Sequence, residues 1–217
     1  MNSTEEYKVA ERRPITTRNL AVSHRAADWL AARGVTANAI STAGLAPGIL
    51  GGLAFAATSQ PQFPVWLCWL LGAVFVQLRL LANMLDGMVA IRSGKASAVG
   101  ELYNEVPDRV SDAATLIGLG YAMGSHVALG YIATCVALFV AYVRAMGKVA
   151  GAHQEFCGPM AKPQRMAAVT VVALVCAVLP AAMAWQLPAI ALAVIAVGGG
   201  ITSLRRLSRI SKALRAA

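Results

Sequence analysis

Apolar residues run in six long stretches along the chain, at about 38–58, 65–91, 98–123, 127–147, 166–183 and 187–204. Each is close to the ~20 residues that cross a bilayer as a helix, so the pattern predicts six membrane helices. The breaks between them are of two kinds. Residues 59–64, 124–126 and 184–188 contain no Asp, Glu, Lys or Arg. The other breaks and the two ends gather the bases: Arg12, Arg13, Arg18, Arg25 and Arg33; then Arg92 and Lys95; then Lys148, Lys162 and Arg165; finally Arg205, Arg206, Arg209, Lys212 and Arg215. Loops on the cytoplasmic side carry the excess of Lys and Arg. Both termini and the 92–97 and 148–165 connections are therefore expected in the cytoplasm.

Ahead of the first stretch, residues 19–33 set Leu20, Ala27, Trp29 and Leu30 among polar groups. That spacing suits a short amphipathic helix lying at the membrane interface, with an ordinary solvated helix as the alternative. The expected fold is all-α and polytopic, six transmembrane helices preceded by this interfacial helix. Residues 1–33 form a cytoplasmic N-terminal segment, 34–207 the membrane domain and 208–217 a basic cytoplasmic tail. Composition agrees: 58% of the 217 residues are hydrophobic, 13% are charged and the mean hydropathy is +0.61, far from the balance of a soluble domain. The net charge of +9 follows from topology and from attraction to anionic headgroups, so no nucleic-acid partner is implied. Residues 1–33 are polar and basic, without the short apolar run of a cleavable signal. Cys68, Cys135, Cys157 and Cys176 lack any paired spacing, which points to small packing residues rather than to zinc or disulfides. His24, His126 and His153 are scattered, so no histidine metal site is expected.

The polar residues inside the apolar stretches are few and patterned. Asn83 and Asp86 are three apart and share a helix face; Gly100, Asn104 and Asp108 step by four and share another. Two such helices side by side bring four oxygen-bearing side chains toward one point. An ionisable group at membrane depth is costly and marks a functional site by default. Oxygen ligands of this kind suit a hard divalent cation such as Mg²⁺ or Mn²⁺. The small residues Gly87, Ala90 and Gly100 have close helix packing as their alternative role.

The run from Asn83 to Asp108 resembles the signature of the CDP-alcohol phosphotransferase family, D-x-x-D-G-x-x-A-R followed after about eight residues by G-x-x-x-D-x-x-x-D. Asp86-Gly87, Ala90, Gly100 and Asp108 match as they stand. Asn83 and Asn104 replace the first and third aspartates, and Ile91 stands where the arginine falls, with Arg92 one place later. Flanking pieces resemble the family too: the 34–41 segment around Asn38, and Tyr142-Val143-Arg144-Ala145. The resemblance covers most of the chain from Gly34 onward.

That resemblance implies an activity and assigns residues to it. A phosphatidyl group would pass from CDP-diacylglycerol to a small alcohol acceptor with release of CMP, in phospholipid biosynthesis at a bacterial-type inner membrane. Positioning and charge neutralisation dominate such chemistry. Asn83, Asp86, Asn104 and Asp108 occupy the metal positions, with Asp108 also the catalytic base. Asn38, Asp86, Gly87, Ala90, Arg92 and Gly100 would hold the nucleotide. Arg144, Lys148 and Arg165 would hold an anionic acceptor or lipid phosphate through charge and, for Arg, a bidentate fork. A homodimer through the third and fourth spans is implied as well. Gly118, Gly120, Gly124 and Gly130 permit close approach there, or serve packing within one subunit. The two asparagines leave three readings open. The enzyme works with one tight cation or with ions brought by the diphosphate; Glu101, Glu105 or Asp112 compensates; or the chain is a catalytically degenerate member that binds lipid or nucleotide. Arg79, one turn before Asn83, is expected to face the site or to pair with an acid on the next helix, and Arg109 to pair locally.

Overall fold

The computed structural model describes residues 21–94 and 98–216. The expected polar segment 1–20, with Arg12, Arg13, Arg18, Asn19 and Leu20, lies outside the described residues, as do Lys95 and residue 217. Every regular element described is helical: α1 (Ala21–Ala32), α2 (Ala37–Ala43), α3 (Leu45–Ala57), α4 (Val65–Arg92), α5 (Ala98–Gly120), α6 (Val127–Val149), α7 (Lys162–Val178), α8 (Ala181–Ala184) and α9 (Leu187–Ala216).

Four segments are long and apolar enough to cross a membrane: α2 with α3 taken together, α4, α6 and α9. The first expected span is thus a broken helix, interrupted at Gly44. The stretches expected as the third and fifth spans form the helices α5 and α7, which are not among these four. Five charged residues, Glu101, Glu105, Asp108, Arg109 and Asp112, lower the apolar character of α5, while α7 stops at 17 residues ahead of Pro180. The last helix is longer than the apolar run, because α9 continues without a break through the basic stretch to Ala216.

Helix ends follow local chemistry. The Thr36 hydroxyl caps α2 by accepting from the Ala39 amide (3.2 Å). At the far end of α4, Ser93 closes the helix and Gly94 follows with φ +62°, the left-handed residue that commonly stops a helix. Pro107 sits inside α5, where it has no amide hydrogen to give the Tyr103 carbonyl.

In the bundle α3 packs against α4 and α5, α6 against α9, and α4 against α7. Between lipid-embedded helices, close van der Waals packing does what hydrophobic exclusion does in water. Gly52 and Gly118 show it: a Cβ on either would collide with the backbone of the opposite helix. Gly120 meets Gly130, and Gly124 lies against the Met183 backbone. The glycines expected to permit a dimer are thus taken up in contacts within one chain. The core gathers Phe55, Trp69, Leu116, Leu119, Leu192 and Ile195, with the Phe55 and Trp69 rings 5.6 Å apart. Leu81, Ile132, Phe139, Val194 and Val197 are exposed on α4, α6 and α9, as a lipid-facing surface requires. All four cysteines are free thiols.

Helix α1 buries Ala27 against Met84, Met88 and Val89 of α4 and leaves Val22 and Trp29 exposed. Arg92, at the end of α4, pairs with Asp28 of α1 and donates to His24 Nδ1 (2.7 Å). The 150–161 connection is fastened to α9. Arg206 donates to the Cys157 and Val140 carbonyls (both 3.0 Å), and the Met160 amide donates to Thr202 Oγ1 (3.0 Å). This anchoring sets where α7 starts, and therefore where Lys162 and Arg165 stand.

Candidate functional site

The polar stripes of α4 and α5 face each other across one seam. Asn83 Nδ2 donates to Asp108 Oδ2 (3.2 Å), joining the first motif helix to the second. Arg79, one turn earlier on α4, donates through Nη2 to Asp108 Oδ1 (2.6 Å). Gly44 makes room for it, because a Cβ there would run into the guanidinium. From the start of α7, Lys162 Nζ reaches the same Asp108 Oδ1 (2.6 Å) and also Asp112 Oδ1 (3.4 Å). Arg165 closes the row on Asp112 Oδ2 (2.7 Å). Cations in the first turn of a helix oppose its dipole, so Lys162 and Arg165 are explained by the carboxylates they meet. Arg79, Asp86, Asp108, Asp112 and Arg165 are all buried; unpaired, any one of them would be strongly destabilising.

Asp86 is held differently. The Ser41 hydroxyl of α2 donates to its Oδ2 (2.6 Å), and Arg79 Nη1 approaches the Ser41 carbonyl (3.5 Å). Asp86 Oδ1 is buried and has no hydrogen-bond donor among the described residues. A buried carboxylate oxygen without a donor is rare, and it is the acceptor that a cation would fill. The oxygen-bearing residues of the two motif helices suit a hard divalent ion by their chemistry: the open carboxylate oxygen of Asp86, Asn83 on the same helix face, and Asn104 one turn before Asp108. No group of three or more His, Cys, Asp or Glu converges among the described residues, so any such site depends on the carboxamides.

The remaining expected site residues fall in three places. Asn38 borders a cleft of about 250 Å³, shared with Gly34, Thr36 and Ser93, where the α1–α2 connection meets the end of α4. Gly87, Ala90 and Gly100 lie on the two motif helices, Gly87 buried and the other two half-buried, while Arg92 is turned toward α1. Arg144 pairs with Glu105 and lies 5.5 Å from the Phe156 ring centroid; Lys148 pairs with Glu101 (2.7 Å). Glu101 and Glu105 therefore engage α6. Arg109 contacts Glu105 (3.4 Å) and Asp108 (3.5 Å), the local pairing expected of it. Ser41 and Lys162 are not among the expected site residues. Ser41 is 45 positions from its carboxylate, so no spacing links them. Lys162 and Arg165 do carry a signal: their three-residue step matches the four-residue step from Asp108 to Asp112.

Fold and site together define an integral membrane protein with a buried, charge-compensated carboxylate seam between two helices. No family model matches the chain. By sequence it is 28% identical over 183 residues to phosphatidylinositol phosphate synthase of Mycolicibacterium smegmatis, covering 82% of this chain and 78% of that protein. It is also 27% identical over 158 residues to the inner membrane protein YnbA of Escherichia coli, covering 73% and 76%. Among solved structures it resembles Mycobacterium tuberculosis phosphatidylinositol phosphate synthase (PgsA1). The TM-score is 0.74 to the form with CDP-DAG bound, at 23% identity over 88% of this chain and 94% of that one. To the complex with manganese and citrate it is 0.72, at 23% identity over 87% and 88%. The chain is thus related to phosphatidylinositol phosphate synthase, a CDP-alcohol phosphotransferase, and shares its fold.

Proposed function

We propose that this protein transfers a phosphatidyl group from CDP-diacylglycerol to a small alcohol, releasing CMP. The observation that carries the reading is the pair Asp86 and Asp108, buried on facing helices with Asp86 Oδ1 open, in the fold of a protein solved with CDP-DAG. The acceptor oxygen attacks the phosphorus that bears diacylglycerol, the bond from that phosphorus to the CMP oxygen breaks, and the acceptor's proton passes to Asp108. Arg79 and Lys162 fix the direction of the Asp108 carboxylate. Ser41 orients Asp86. A divalent cation such as Mg²⁺ or Mn²⁺ would be held by Asp86 with the Asn83 and Asn104 carboxamides, and would neutralise charge on the leaving phosphate. The cleft at Asn38 suits the nucleotide, with the small residues Gly87, Ala90 and Gly100 allowing close approach to α4 and α5. Arg144, Lys148 and Arg165 supply the positive charge that an anionic acceptor needs.

Charge asymmetry supports an orientation with the seam and both termini in the cytoplasm of a bacterial-type cell, six membrane-embedded helices and α1 at the interface. A homodimer belongs to the same reading; with Gly118, Gly120 and Gly124 used inside the chain, its surface would be the exposed side of α6 around Tyr131, Ile132 and Phe139. A second reading, a non-catalytic lipid- or nucleotide-binding protein, is favoured by one observation: Asp108 already has cationic partners on both of its oxygens. Purified protein given CDP-diacylglycerol, Mg²⁺ or Mn²⁺ and a panel of polyol, polyol-phosphate and amino-alcohol acceptors separates the two. Cation-dependent CMP release with a new lipid mass is expected. Folded protein that releases no CMP with any acceptor establishes the second reading instead.

A further inference from the structure

We infer that Lys162 and Arg79 supply, as fixed protein charge, what a second divalent cation would bring to Asp108, so that the site takes one ion per chain, at Asp86. The inference rests on the cation-assisted reading above and specifies how this chain departs from a site built of four carboxylates.

Asp108 offers about four lone-pair positions on its two oxygens; three hydrogen-bond donors and one further cation, Lys162, already lie against them. Arg79 and Lys162 are on Oδ1; Asn83 Nδ2 and, at 3.5 Å, Arg109 are on Oδ2. The orientation of the Asn83 carboxamide is fixed by this contact. Turned over, it would set its carbonyl oxygen against a carboxylate oxygen at 3.2 Å, a repulsive arrangement. An aspartate at 83 would set a full negative charge there and would need a cation between the two groups. Asparagine removes that requirement by donating.

The charge count of the seam agrees. Asp86, Asp108 and Asp112 face Arg79, Lys162 and Arg165, three carboxylates against three permanent cations, all but Lys162 buried, while Arg109 at the edge is shared with Glu105 and adds a fourth pair. The cluster is neutral before any ion binds, whereas aspartates at 83 and 104 would leave it with two negative charges. Electrostatic attraction for a second divalent ion is missing at Asp108 and persists locally at Asp86, whose Oδ1 has no donor. Lys162 is the group best placed for the substitution. Its ammonium bridges Asp108 and Asp112 from the fastened start of α7, and it is a compact point charge, closer to a metal ion than a guanidinium is.

The test is Mn²⁺ stoichiometry, read from the loss of the free-ion paramagnetic resonance signal as Mn²⁺ is titrated into the full chain in lipid nanodiscs. Wild type is expected to take one ion per chain, Asp86→Ala none, and the Asn83→Asp/Lys162→Met variant two. Asn83→Asp alone tests the order of events: with Lys162 in place it is expected to stay at one. Wild type taking two ions, or none, overturns the inference whatever the variants do. A double variant that keeps the first ion and gains no second overturns it as well. CMP release, measured on the same wild-type samples, reports separately on the transferase reading. One ion without turnover sinks that reading and supports the inference, while turnover with two ions does the reverse.

Discussion

Ser41 donates its hydroxyl to Asp86 Oδ2 at 2.6 Å, fastening the short helix α2 to the C-terminal part of α4. Both residues are buried. With Oδ1 open, this is the hydroxyl that fixes which oxygen of Asp86 faces the seam. Removing it leaves both oxygens of a buried carboxylate without a side-chain donor, a loss worth about 1–3 kcal/mol or more for a charged group. Ser41→Ala is therefore expected to lower the melting temperature in a fixed detergent and to weaken Mn²⁺ binding. Ser41→Thr, which keeps the hydroxyl, should recover most of both. A Ser41→Ala protein as stable and as tight for Mn²⁺ as wild type would remove Ser41 from the site.

Two glycines on α5 and α9 make opposite predictions. At Gly118 a Cβ meets the Gly52 backbone, whereas at Gly200 nothing lies within 4 Å. Backbone cannot rotate aside, so Gly118→Ala should cost about 1–3 kcal/mol through forced separation of α3 and α5. Gly200→Ala should be neutral or should gain up to about 1 kcal/mol from helix propensity. Paired thermal melts followed by tryptophan fluorescence decide it; equal shifts would mean the α3–α5 contact is looser than described.

What the sequence makes legible here is governed by range. Run length and hydropathy suffice for α4 and α6, whose predicted limits of 65–91 and 127–147 fall within two residues of the helices formed. They fail at the end of α9. There the fall in hydropathy marks a change of surroundings, while the Arg-, Leu-, Lys- and Ala-rich stretch 205–216 remains a good helix former. The break at Gly44 was hidden because both flanks are apolar. Within the site, the helical steps 83–86 and 104–108 could be read because they are local. The donors were another matter: Arg79 could be aimed at the next helix, but Ser41 and Lys162 come to the carboxylates through the packing of α2 and α7, which no spacing encodes.

Asp112 and Arg165 form a buried pair at 2.7 Å, 4% and 2% exposed at their side chains. Breaking such a pair from one side strands a charge at about 3–5 kcal/mol, while replacing both by apolar residues of similar volume is often tolerated. Asp112→Leu and Arg165→Met should each sharply reduce the yield of monodisperse protein, and the double substitution should restore much of it. Lys162 keeps Asp108 as its partner in the double variant. Additive losses would show that the two residues are held by something other than each other.

The orientation can be read by labelling. In a cysteine-free background, probes at Gln62 and Gln186 sit in connections that carry no formal charge, and a probe at Ser208 sits on the exposed basic face of α9. A membrane-impermeant maleimide applied to intact cells should reach the first two and not the third. Labelling at Ser208 from outside would invert the topology and with it the cytoplasmic placing of the seam.

The two aspartates should separate binding from turnover. Asp86 has an open oxygen and a single side-chain donor, so Asp86→Ala removes the one uncompensated anionic acceptor in the seam and is expected to abolish Mn²⁺ binding. Asp108 is compensated on both oxygens by Arg79, Lys162 and Asn83. Asp108→Asn keeps an oxygen for Arg79 and Lys162 but cannot take up the acceptor's proton. CDP-diacylglycerol binding should change by no more than a few-fold, while CMP release falls by the 10²–10⁴-fold that a positioned general base contributes. The same substitution sets an amide opposite Asn83, and the two carboxamides can still pair, but Arg79 and Lys162 lose their counter-charge, so a melting transition on the same sample is needed to show that the variant is folded. Turnover that survives Asp108→Asn would move the base elsewhere, with Asp112, the next carboxylate along the same stripe, the first residue to examine.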